Sequence, residues 1–311
     1  MKKILVSIAQ ISPVFLNREA TLKKALDAIE EAGKKGAKLI VFPEAFMPGY
    51  PEWVWVNPAG KKALTDPLYE ALLENAVTVP DDTTNQLCKA AKKGNICIVM
   101  GINERNAEAS NASLYNSIIY IDEKGNLLGK HRKLVPTLGE RLVWAQGDGS
   151  TMQAYDTSIG KLGGLICWEN YMPLARYAMY AWGTQIYVAP TWDHGEVWVS
   201  TLRHIAKEGG VFVLGACIPM KLDDIPDAYE FKKQYDTSKV WINPGDSIVI
   251  DPKGKIIAGP FNKEEGILYA ELDMSLIPAS KWNIDVAGHY ARPDVFKLSV
   301  NRTPNNIIDE G

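Results

Sequence analysis

The sequence predicts an α/β protein built in layers. Short β-branched apolar runs alternate with amphipathic helical patterns along its 311 residues. Gly, Pro, Asn and Asp punctuate the runs, and no linker-like or low-complexity stretch divides them. A chain of this length can bury a sizeable core in one large domain or two smaller ones. The unbroken alternation points to one.

Taken in order, residues 4–9 predict the first strand. Two lysines precede it, but Ser7 and Gln10 interrupt the apolar run too early for a signal peptide, and no A-x-A site follows. Residues 17–35 predict an amphipathic helix with Leu22, Ala25, Leu26 and Ile29 on one face. Residues 38–42 read as a buried strand ending at Pro43-Glu44. Residues 85–93 read as a helix capped from the preceding Asp-Asp-Thr-Thr, and 96–101 as the next strand. The segments IIYIDEKGNLLGKH (118–131) and SIVIDPKGKIIAGP (247–260) each read as a β-hairpin around an Asp-x-Lys-Gly turn. Their likeness is local, from shared turn chemistry or from duplication.

The second half repeats the alternation. Residues 161–167 predict a strand, and 173–182 a helix opened by Pro173 in its first turn. A strand at 185–189 precedes a helix at 197–208 that stops at Gly209-Gly210, and 211–216 is another strand. A polar insertion over 221–239 and an extended tail after Lys281 complete the reading.

Composition removes several classes of function. Hydrophobic residues make up 46% and charged residues 23% of the chain, and the formal net charge is −3. This balance argues against nucleic acid or an anionic membrane as partner, which would need a basic face, and no run reaches the length of a membrane span. Cys88, Cys97, Cys167 and Cys217 show no CxxC spacing and are too sparse for a disulfide scaffold, so reduced thiols in a cytoplasmic protein are expected. The histidines at 131, 194, 204 and 289 form no HxxxH or HExxH pattern and read as structural, with no metal. There is no GxSxG, P-loop or GxGxxG.

Chemistry in α/β folds gathers at strand ends facing a cleft. Three polar groups sit at such ends: Glu44 after LIVFP, Lys133 after LLGKHR and Cys167 after LGGLI. Residue type alone makes each a cap, a surface charge or a buried hydrophobe. Their surroundings say more. Three prolines and a glycine in PEAFMPGYP fix the backbone around Glu44. Two glycines before Cys167 and a helix after it are the ingredients of a strand–nucleophile–helix elbow, where a helix N-terminus and an ammonium would favour thiolate.

The segments VFPEAFMPGYP, HRKLVPTLGERLVWAQGDGS, GGLICWENYMPLAR, APTWD and GHYARPDVF, in this order, closely resemble the signature segments of the nitrilase branch of the carbon–nitrogen hydrolases. The resemblance reaches about Leu298, leaving 299–311 as a short tail beyond a single domain over 1–298. It implies a four-layer α-β-β-α sandwich and a Glu-Lys-Cys triad without metal or cofactor. Glu44 matches the general base, Lys133 the cationic residue, Cys167 the nucleophile and Glu140 an additional active-site glutamate. The implied reaction hydrolyses a nitrile to acid and ammonia through a thioimidate and a thioester, with Lys133 and the Trp168 N–H stabilising developing charge. Two carboxylates around one lysine should hold different pKa values.

Trp168, Tyr50, Trp53, Trp144, Trp192 and Trp198 can wall an aromatic substrate pocket or pack in the core; Tyr50, Trp168 and Trp192 are the ones expected at substrate. Thr137 can line the site or serve as a turn hydroxyl. The resemblance further implies a homodimer or larger homo-oligomer, helical forms included. An amidase or carbamoylase is the nearest alternative, with CWEN, YMPLAR and KLVPTLGER resembling nitrilases instead. Asn170 stands where cyanide-degrading relatives often carry histidine. A non-catalytic scaffold would not need every triad member in a matching context.

Overall fold

The computed structural model describes residues 3–308. Its first half runs β1 (Lys3–Gln10), α1 (Arg18–Lys34), β2 (Leu39–Val41), α2 (Lys62–Asn75), α3 (Asp82–Gly94), β3 (Cys97–Arg105), β4 (Leu114–Ile121) and β5 (Leu127–Arg132). The second half runs β6 (Tyr155–Thr157), β7 (Gly160–Gly164), α4 (Pro173–Ala181), β8 (Ile186–Thr191), α5 (Glu196–Gly209), β9 (Phe212–Cys217), β10 (Pro219–Lys221) and β11 (Trp241–Ile250). β12 (Ile256–Asn262), β13 (Gly266–Asp273) and α6 (Leu276–Asn283) close the fold. One sheet has the order β13-β1-β2-β3-β4-β5; the other has β10-β11-β9-β8-β7-β6, with β12 paired to β11.

Period-two alternation explains the layering. Ile4, Val6 and Ile8 of β1 and Leu39 and Val41 of β2 meet Ile186, Val188, Phe212 and Leu214 of the other sheet in a central core. The intervening Ile40 and Ile98 face outward, onto Leu22, Ala25 and Ile29 of α1 and Leu87 and Ala91 of α3. Tyr187 and Val213 face outward from the second sheet onto Met179 of α4 and Leu202 and Ile205 of α5. The result is the expected α-β-β-α sandwich. No described helix is long and apolar enough to cross a membrane.

Several boundaries differ from expectation. α3 starts earlier than predicted because Asp81 caps it, accepting from the Thr84 N–H at 2.9 Å. α2 had no sequence signal: only Leu68 and Leu72 of its residues are buried, too few for a periodic stripe. The two Asp-x-Lys-Gly hairpins share one turn chemistry, with Gly125 and Gly254 at φ +83° and +82° and each N–H bonded to the Asp three residues before. They lie in different sheets. The 221–239 insertion is not a free loop, since Ile225 and Phe231 pack into a cluster with Phe15, Trp53 and Met220. α6 runs through Lys281 to Asn283, so the irregular tail begins later than predicted. Its last three positions, 309–311, lie outside the described residues.

Candidate active site

β2 ends at Val41, and the chain turns sharply through Pro43, Glu44 and Ala45, the last at φ +50°. Gly101 of β3 makes room for that turn, because a Cβ there would collide with the Pro43 carbonyl. Glu44 is thereby fixed in the interior, fully buried. Its Oε1 accepts from Lys133 Nζ at 2.8 Å and Asn116 Nδ2 at 2.7 Å, and its Oε2 accepts from the Trp192 N–H at 2.7 Å.

Lys133 follows directly on β5 and is equally buried. Its second partner is Glu140, with Nζ donating to Oε2 at 2.7 Å. The Thr137 N–H donates to the same oxygen at 2.7 Å, and the Tyr50 hydroxyl to Oε1 at 2.7 Å. Glu140 lies in a 3-10 turn spanning Leu138–Leu142, so TLGER places its carboxylate by backbone geometry. Burial works against the Lys133 charge, but Glu44, Cys167 and Glu140 outweigh it and hold the ammonium well above its ordinary range. Burial raises the Glu44 carboxyl; Glu140 adds to this, while Lys133 and Asn116 oppose it.

Cys167 is not the last residue of a strand, as predicted. β7 stops at Gly164, and Cys167 opens a 3-10 turn over Cys167–Tyr171 before α4 begins at Pro173. The elbow is nonetheless sharp: Cys167 has φ +50°, a left-handed conformation that strains a non-glycine residue by about 1–2 kcal/mol. Gly164 permits the approach, since a Cβ there would meet the Val188 carbonyl. Asn170 braces the turn, donating to the Leu165 and Cys167 carbonyls at 3.0 and 2.8 Å.

Of the two influences expected to favour thiolate, the ammonium is present and acts in that direction, but burial outweighs it. Burial pushes the Cys167 thiol well up; Glu44 and Glu140 add to the shift, and Lys133 and a hydrogen bond from Thr191 only partly offset it. Without α4 starting at the sulfur, no α-helix terminus compensates.

A cavity of about 270 Å³ opens over this cluster. Tyr50, Thr137, Glu140, Cys167, Trp168 and Trp192 line it, as do Trp55, Leu138, Asp193 and His194. A larger groove of about 550 Å³ between α1 and α3 holds none of the four expected catalytic residues. Tyr50 and Trp192 stack face to face at 4.4 Å. Trp168 is 45% exposed at the mouth, where its Nε1 donates to Asp193 at 2.8 Å. Trp53, Trp144 and Trp198 resolve as core: Trp53 and Trp144 join the Phe15 cluster, and Trp198, on the buried face of α5, joins the cluster of Leu165 and Tyr187. Trp55 gave no sequence signal separating it from Trp53 two residues away.

Of the histidines read as structural, only His131 is a buried, bonded one, with Nε2 at 3.1 Å from both Glu169 oxygens. His194 is exposed at the cavity rim, and His204 is 64% exposed beside Glu208. Glu169 itself was missed as part of the site's frame. Its Oε1 accepts the Leu134 N–H at 2.7 Å and its Oε2 the Ile166 N–H at 2.8 Å. Among the described residues no three His, Cys, Asp or Glu group as metal ligands, and the four cysteines are free.

Comparison with known proteins fits this geometry. Residues 5–281 match the carbon–nitrogen hydrolase family model. The chain is 42% identical to an aliphatic nitrilase of Sinorhizobium fredii (strain HH103), covering 99% of both proteins. It is 43% identical to nitrilase 3 of Arabidopsis thaliana over 97% of this chain and 88% of that one. The solved structure of Saccharomyces cerevisiae Nit3, a member of branch 10 of the nitrilase superfamily, superposes with a TM-score of 0.71 at 26% identity, covering 93% of this chain and 97% of that one. The chain belongs to the carbon–nitrogen hydrolase family and stands with its nitrilases.

Proposed function

We propose that this protein is a nitrilase, hydrolysing an organic nitrile to the carboxylic acid and ammonia. Kinship with nitrilases along almost the whole chain carries the reading, and the buried group around Cys167 supplies the means. Cys167 is the nucleophile and Glu44 its general base. The thiol proton moves to Glu44 as the nitrile arrives. The sulfur bonds to the nitrile carbon and the thiol proton passes through Glu44 to the nitrogen, giving a thioimidate. A first water adds, ammonia leaves, and the acyl group remains as a thioester. A second water releases the acid and restores the thiol. Lys133 stays charged throughout and faces the nitrogen or oxygen on which negative charge develops. Glu140 holds Lys133 from its other side.

Tyr50, Thr137, Trp168 and Trp192 take the organic group of the substrate, supported by their place around the cavity. The catalytic unit spans 1–298. A homodimer or larger homo-oligomer, helical forms included, is supported by large apolar side chains left in solvent, among them Leu174, Val197, Trp282 and Phe296. A cytoplasmic setting is supported by the four free thiols. The net charge of −3 disfavours nucleic acid and anionic membranes as partners.

The test is ammonia release from paired nitriles and amides, with Cys167→Ala as the control. Nitrile turnover that disappears in Cys167→Ala supports the proposal. Turnover of amides but not nitriles replaces it with an amidase, and activity surviving Cys167→Ala removes the assigned nucleophile.

A further inference from the structure

We infer that Thr191 is a further catalytic residue, whose hydroxyl donates to the Cys167 sulfur and stabilises it as a thiolate when Glu44 takes the proton. The inference rests on the nitrilase reading above, because it takes Cys167 as the nucleophile.

Thr191 is the last residue of β8 and is fully buried. Its Oγ1 lies 3.3 Å from Cys167 Sγ. The same oxygen accepts the Asp193 N–H at 2.8 Å. A hydroxyl has one proton and two lone pairs. The Asp193 N–H takes one lone pair and leaves the hydroxyl proton free to be donated to the sulfur. Placement is firm at every level. The β8–β9 ladder pairs Thr191 with Cys217, and a β-branched side chain has little χ1 freedom. The next residue, Trp192, gives its N–H to Glu44. Three consecutive residues therefore hold the nucleophile, its base and the orientation of the hydroxyl between them.

The sulfur needs such a donor. The titratable groups acting on it or near it are Glu44, Lys133, Glu140, Tyr50 and Cys217. Of these only Lys133 is a cation, and two carboxylates share it. α4 begins six residues later, at Pro173. A hydrogen bond to an anion is shorter and stronger than one to a neutral group, so the Thr191 bond strengthens as the thiol proton leaves for Glu44. It serves again when the thioester is hydrolysed and sulfur departs as thiolate before recovering its proton.

The experiment compares Thr191→Val, which keeps the shape and loses the hydroxyl, with Thr191→Ser, which keeps the hydroxyl. Two readouts are taken: kcat and KM for ammonia release, and the pH dependence of iodoacetamide alkylation at Cys167, followed on its own peptide by mass spectrometry. Thr191→Val is expected to lower kcat about ten- to hundredfold, leave KM within a fewfold, and move alkylation to higher pH. Thr191→Ser is expected to recover both. Should Thr191→Val not fold by circular dichroism, Thr191→Ala against Thr191→Ser makes the same comparison. An unchanged kcat and alkylation profile in the hydroxyl-free variant, or a serine variant as impaired as it, overturns the inference. Where that happens beside an inactive Cys167→Ala, the nitrilase reading stands and only the role of Thr191 falls. Ammonia release surviving Cys167→Ala overturns both.

Discussion

Replacing Glu169 by glutamine should loosen the join between the lysine and the cysteine of the site. One buried carboxylate accepts the N–H of Leu134, next to Lys133, and the N–H of Ile166, next to Cys167, at 2.7 and 2.8 Å. His131 faces both of its oxygens. Glutamine keeps a single acceptor, so its amide group must point at one backbone N–H, leaving that donor buried and unpaired. The loss is about 1–3 kcal/mol, with about 1 kcal/mol more as the contact to His131 falls to neutral strength. Over 311 residues a total of about 2–4 kcal/mol lowers Tm by about 3–6 °C. Separation of the two catalytic segments should also lower kcat by more than about tenfold. Calorimetry and ammonia release read the two effects. Tm and kcat both equal to wild type would refute the clamp. The pH dependence has a definite sign. Burial raises the Glu169 carboxyl, but His131 and the two N–H groups outweigh it and hold it low. A depressed carboxyl contributes stability above its unfolded value and loses it as pH falls through the folded one. The Tm gap between wild type and Glu169→Gln should therefore narrow on acidification.

Lys133→Ala should abolish turnover and also destabilise the fold by about 3–5 kcal/mol, because Glu44 and Glu140 are left buried without a cation; an inactive variant with wild-type Tm would contradict the second half. Tyr50→Phe removes a donor from Glu140 at 2.7 Å, and kcat should fall about ten- to hundredfold while the stacked wall with Trp192 persists. Its kcat matching wild type would show that Glu140 needs no such support. Glu52 is buried, and burial lifts its carboxyl from 4.5 to about 8, with a hydrogen bond from Tyr235 partly opposing this. A raised folded value means stability present below 4.5 and lost progressively as pH rises to about 8. Wild-type Tm should fall more than that of Glu52→Gln between pH 5.5 and about 8, and parallel curves would refute the assignment.

Much of the framework was legible before any coordinates. Strand after strand alternates side chains between two buried faces, and that period survives in one dimension. Glu44, Lys133 and Cys167 could be marked because each follows a predicted strand, and Glu140 because the ordered motifs resemble those of a known family. α2 escaped because two buried leucines make no pattern. Trp53 and Trp55 could not be told apart, since a turn decides which of two nearby rings meets solvent.

What the order of residues determined alone was which groups the chemistry has at its disposal and which layers carry them. Tertiary structure decided their state. Glu44, Lys133 and Cys167 come from three segments; burial raises the thiol, and only the carboxylates brought beside Lys133 retain its ammonium against that burial. Thr191 and Glu169 are ordinary polar residues in the sequence, and they acquire partners only where the end of β5 in one sheet meets the ends of β7 and β8 in the other. Desolvation and hydrogen bonding depend on distance in space, which the linear order of the chain does not contain.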